Sequence, residues 1–125
     1  MISSYFVVAL GGALGSVARF AVSRLLPTTI FGIPFPILLI NIFGCFVIGT
    51  LSEIMALRWS PSPNIRFFLI TGILGGFTTF SSFSLEAGLL FQKQAYFSAF
   101  VYISSSVILS LLFFFAGIKI VKLFF

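Results

Sequence analysis

RFFLITGILGGFTTFSSFSLE, residues 66–86, begins on Arg66, ends on Glu86 and carries no charge between them. Wound as a helix, the interior 67–85 is long enough to cross a bilayer. About 20 apolar residues at about 1.5 Å each span a hydrocarbon core of about 30 Å. Its second half is unusual for lipid: Gly75 and Gly76 are followed by Thr78, Thr79, Ser81 and Ser82, interleaved with Phe77, Phe80 and Phe83. The stretch is a membrane span that either stays helical, its hydroxyls bonded to its own backbone, or unwinds near its centre.

The same punctuation by charge continues outward. The chain has 125 residues, 60% hydrophobic and 7% charged, with 19 phenylalanines. Arg19, Arg24, Glu53, Arg58, Arg66, Glu86, Lys93, Lys119 and Lys122 are all of its charges, and they leave 1–18, 25–52, 67–85 and 94–118 uncharged. These runs predict an all-α integral membrane protein, one domain over 1–125, with four spans near 4–26, 33–57, 66–91 and 96–119. Pro27, Thr28, Thr29, Gly32 and Pro34 mark the first loop, and Ser60-Pro61-Ser62-Pro63-Asn64 the second. The opening MISSYFVVALGGALG lacks a basic leader and is read as the first span rather than a secretory signal.

Four spans leave no extramembrane domain, so the composition argues against an enzyme. With no histidine and Cys45 as the one cysteine, the usual transition-metal sites are not expected. The net charge of +5 is scattered at helix ends, the pattern of interfacial anchors rather than of a nucleic-acid surface. Arg58, Arg66, Lys119 and Lys122 fall on one side, and Arg24 and Lys93, with Arg19 if it snorkels there, on the other. Either the termini face the cytoplasm, or both orientations occur and an antiparallel homodimer supplies the symmetry that a four-helix chain lacks.

Polar groups inside the spans need partners or water. Asn41, in PILLINIFGCFVIGTL, is either an interhelical hydrogen-bonding residue or a donor facing an aqueous or ion pathway. Tyr102, Ser106 and Ser110 recur every four residues and form one polar stripe, favouring a pathway. Gly11 with Gly15, and Gly72 with Gly76, have the spacing that lets helices approach closely. An unwound segment at Gly75–Ser82 would free carbonyls suited to a hard monovalent cation. Phe80 and Phe83 share a face, and ring edges are positive enough to favour an anion.

GGALGSVAR (11–19), NIFGCFVIG (41–49), GILGGFTTFSSFSLE (72–86) and the Tyr102-Ser106-Ser110 stripe together resemble the Fluc family of microbial fluoride channels, also called CrcB. The resemblance covers all four helices. It implies an antiparallel, dual-topology homodimer in the cytoplasmic (inner) membrane of a bacterium, with two pores each built from both subunits. It implies that Phe80 and Phe83 turn ring edges to fluoride, that Asn41 supplies a pore-facing amide, and that Tyr102, Ser106 and Ser110 form the track opposite. It further implies a structural sodium ion held by the carbonyls of Gly75 and Thr78, a vestibule arginine at Arg19, and an acidic residue near the third helix end at Glu86. A small multidrug transporter would need a titratable carboxylate in the first span, which has none. A structural subunit would need no continuous polar path.

Overall fold

The structure, a computed structural model, describes residues 1–125. Helix α1 runs Ile2–Leu25 and α2 Phe35–Leu57. The third span, Pro63–Gln92, consists of α3 (63–77) and α4 (Phe80–Gln92), and α5 runs Tyr96–Phe124. All four spans are long and apolar enough to cross a membrane, making the chain a multi-pass membrane protein. The last helix extends past 119 to Phe124, because nothing in Ile118–Leu123 breaks a helix and two lysines suit its C-terminal end.

The bundle is two close helix pairs: α1 lies chiefly along α3, and α2 along α5. Small residues set both contacts. A Cβ on Gly11 would sit 2.6 Å from the Phe68 carbonyl oxygen, and one on Gly15 would run into the Ile73 carbonyl. Across the other pair, a Cβ on Gly117 would lie 2.5 Å from the Phe46 carbonyl oxygen. Backbone thus meets backbone, the usual means of helix association where lipid offers no hydrophobic drive. Only 19 of 125 residues are buried, so most of the apolar surface is left for lipid or another chain. A small cluster of Phe83, Ala87, Leu90, Ala99 and Tyr102 ties α4 to α5, with Ile33 and Ile37 packed against it.

The first loop is more ordered than its prolines foretell. Thr29–Ile30 (β1) pairs antiparallel with Ile33–Pro34 (β2) around a two-residue turn, Phe31 at φ 55° and Gly32 at φ 77°. Positive φ at both turn residues matches strand twist, but a phenylalanine there is rare. At the other membrane face, Ser4 Oγ donates to Asn64 Oδ1 at 2.9 Å and joins the start of α1 to the start of α3.

Candidate functional site

The third span leaves helical geometry at two residues. Upstream, Phe67–Leu74 is wound more widely than an α-helix, and Gly75 N–H reaches the Ile70 and Gly72 carbonyls. Such wide turns often mark functional segments. Thr78 (φ −82°, ψ 157°) and Thr79 (φ −154°, ψ 124°) are then extended, and α4 starts at Phe80.

The hydroxyls of this stretch serve the two helix ends. Thr78 Oγ1 donates to the Leu74 carbonyl at 2.8 Å, closing α3. Thr79 Oγ1 accepts from Ser82 N–H at 3.1 Å and caps the N-terminus of α4. Gly44 of α2 has no Cβ because the Thr78 methyl occupies that space.

Asn41 crosses from α2 to the same place. Its Nδ2 donates to the Thr79 carbonyl at 3.0 Å, and its Oδ1 accepts from Thr79 N–H at 2.9 Å. One side-chain amide therefore replaces both helical partners of Thr79. Its second N–H stays uncommitted, and Asn41 also lines the adjoining cavity. The two readings of this residue are not exclusive.

Diverting these donors releases carbonyls. A continuous helix would direct Thr79 N–H at the Gly75 carbonyl, but that N–H goes to Asn41. Ser82 N–H, the helical partner of the Thr78 carbonyl, goes to Thr79 Oγ1. The Thr78 carbonyl accepts no backbone hydrogen bond. Neutral main-chain oxygens of this kind are a donor set that fits a hard monovalent cation.

Beside the interruption is a cavity of about 490 Å³, lined among others by Asn41, Gly75, Thr78, Phe80, Phe83, Ser106 and Ser110. No lining residue carries a formal charge. The Phe80 and Phe83 ring centroids are 5.3 Å apart and tilted by 50°. Phe83 is 8% exposed whereas Phe80 is 77% exposed.

The polar stripe of α5 divides. Ser106 and Ser110 line the cavity, but Tyr102 does not. Tyr102 is fully buried against Phe83, ring centroids 5.3 Å apart, and its hydroxyl has no hydrogen-bond partner. The Ser106 hydroxyl is likewise unpartnered, in a residue 6% exposed. Ser105, off the stripe, returns its hydroxyl to the Val101 carbonyl at 2.5 Å, the bond that Ser106 forgoes. Arg19 and Glu86 are half-buried and outside the lining. Four lining residues were given no role by sequence: Cys45, Val107, Leu111 and Thr79, whose cap is visible only once the break is seen.

Residues 6–118 match the family described as CrcB-like protein, Camphor Resistance (CrcB). A Rhizobium etli (strain CIAT 652) protein named fluoride-specific ion channel FluC is 44% identical over 119 residues, covering 94% of each chain. Proteins of the same name from Agrobacterium fabrum and Methylobacillus flagellatus are 46% identical over 116 residues and 41% identical over 119 residues. They cover 91% and 94% of this chain, and 92% and 93% of their own lengths. From the end of its first turn almost to the end of its last helix, this chain belongs to the CrcB family.

Proposed function

We propose that this protein is a fluoride-selective channel giving passive export of cytoplasmic fluoride. The observation that carries the reading is the uncharged cavity at the interrupted helix, lined by Asn41, Ser106, Ser110 and the Phe80–Phe83 ring pair. The name borne by relatives of 41% to 46% identity supports the choice of ion. Fluoride is small and strongly hydrated, so a pore must replace its water with donors. Neutral donors and ring edges can do so without the fixed charge that would hold the ion in place. An unpartnered Ser106 hydroxyl and the spare Asn41 N–H are such donors. An inside-negative potential drives the anion outward at about 2.3 kcal/mol per 100 mV. No coupling reaction is required, and the protein acts without enzymatic chemistry.

In this account two copies insert antiparallel in a bacterial inner membrane, and each completes the other's cavity, giving two pores. The 77% exposure of Phe80 supports a partner at that wall. Gly75 and Thr78 carbonyls from both copies would hold a structural sodium ion, whose charge would bind the two interrupted helices together. Arg19 would draw anions towards the entrance.

Purified protein in liposomes loaded with potassium fluoride or potassium chloride tests this. On addition of a potassium ionophore, fluoride should leave rapidly while chloride stays trapped. Equal efflux of the two halides would end the selective reading.

A further inference from the structure

The α2–α5 pair has a second recess, on the flank away from the uncharged cavity. It encloses about 390 Å³ and is lined by Leu39, Ile42, Phe43 and Phe46 of α2 and by Leu109 and Phe113 of α5, all apolar. Phe43 is two residues, about 200° of helix, from both Asn41 and Cys45, and Leu109 the same from Val107 and Leu111. The two spaces therefore lie back to back. Leu39, Phe43 and Phe113 are exposed in the single chain, so the recess opens sideways.

Its depth says where an occupant comes from. Leu39 and Phe46 follow Phe35, the first residue of α2, by four and eleven residues, which puts the recess about 6 to 16 Å below that membrane face. The acyl layer of one leaflet is about 15 Å deep. The recess thus belongs to a single leaflet, the one whose headgroups meet the hairpin. That hairpin stands over it. Strand β2 leads directly into α2, and Gly32 at the turn lies against α5, where a Cβ would be 3.5 Å from Ser98 Oγ. Ser98 is three turns from Leu109 on the same face of α5.

The face above the recess is built for a negative headgroup. Residues 24–34 and 92–98 hold two cations, Arg24 and Lys93, both exposed, and no carboxylate. Thr28 and Thr29 add exposed hydroxyls. Phe31 at the hairpin tip is 96% exposed although its φ of 55° is strained, a ring free to sit among headgroups.

We propose that the recess holds one acyl chain of an anionic phospholipid, whose headgroup lies at the hairpin face in the field of Arg24 and Lys93. An apolar recess discriminates little between lipids, so the chain supplies retention and the two cations choose the headgroup. A second copy is the competing occupant, but the account above commits it to the cavity flank; this assignment of flanks rests on that reading.

The test reads contact between tryptophan and lipids brominated along their chains. Trp59, the only tryptophan, is first replaced by phenylalanine. Phe113→Trp and Leu39→Trp then report on the recess, and either one suffices if the other does not fold. Leu14→Trp on α1, an exposed position eleven residues from Leu25, is the control at similar depth. Each protein is reconstituted in phosphatidylcholine containing a small share of brominated phosphatidylglycerol or brominated phosphatidylcholine. The recess tryptophans should select phosphatidylglycerol by roughly fivefold or more, the effect of one interfacial cation, and Leu14→Trp should show no preference. Adding Arg24→Gln and Lys93→Gln should abolish the preference and leave quenching by phosphatidylcholine unchanged. Equal quenching by the two lipids at the recess would overturn the proposal, as would the same preference at Leu14→Trp. Recess tryptophans quenched by neither lipid would overturn it as well, and would put a second copy there. Quenching needs no ion flux, so its outcome and that of the efflux assay are read independently.

Discussion

Replacing Asn41 with leucine removes the amide while nearly conserving volume, so the cost falls on hydrogen bonding rather than on a new cavity. Two bonds are lost, at 3.0 and 2.9 Å, and both of their partners are backbone groups of Thr79. An unsatisfied buried polar group costs about 1–3 kcal/mol. Water in the adjoining cavity re-solvates part of this, which puts each group near the lower end, at about 1–1.5 kcal/mol. The sum is about 2–3 kcal/mol, or roughly 30- to 150-fold in the folding equilibrium. Reversible unfolding in mixed micelles, titrated with denaturing detergent, would measure it. Leu39→Ala, on the same helix at an exposed position, serves as the control and should shift stability by no more than about 0.5 kcal/mol. If Asn41→Leu is as stable as the wild type within that margin, the amide does not hold the interrupted helix and the reasoning fails. Asn41→Ala should then cost more than Asn41→Leu, because it adds lost packing to the same two orphaned groups.

Two glycines of α1 should behave oppositely: Gly12 has open space where a Cβ would go, so Gly12→Ala should be neutral or slightly stabilising, whereas Gly15→Ala drives into the Ile73 carbonyl and should reduce monodisperse protein on size exclusion. Phe80→Ile and Phe83→Ile should both slow fluoride efflux from liposomes, but only Phe83→Ile should also lower thermal stability, because Phe83 is packed on Tyr102 and Phe80 is exposed. Unchanged efflux in both would take the rings out of the pathway. Tyr102→Phe removes a buried hydroxyl that has no partner, so stability should hold or rise by about 1 kcal/mol in the same unfolding titration. A clear loss would mean that the hydroxyl is bonded in the membrane.

The four-helix layout was legible because nine charges in an oily chain can only sit at or near membrane faces, and their spacing counts the spans. That α1 and α3 each make a close helix contact was legible from Gly11, Gly15, Gly72 and Gly76, but not that they make it with one another. The partner of Asn41 was not. It is a backbone unit 38 residues away at the interruption of the third span, and no side-chain pattern marks a backbone acceptor. The hairpin at Thr29–Pro34 also escaped, because its turn uses Phe31 where glycine or asparagine is the usual signal. Tyr102 illustrates a limit of periodicity. It shares a helix face with Ser106 and Ser110, but it packs on Phe83 and is not among the cavity's lining residues, and only tertiary packing decides that. Cys45 shows the converse, since one turn from Asn41 was enough to bring it into the lining, while its small apolar character hid the fact.

The most direct test of the central claim, that an uncharged cavity at the helix interruption passes fluoride and no other common ion, is the reversal potential in a planar bilayer. With fluoride on one side, chloride on the other and potassium equal on both, current carried by this protein should reverse towards the fluoride equilibrium potential and follow it as fluoride is varied. A reversal potential that stays at zero, or follows chloride or potassium, would contradict the account.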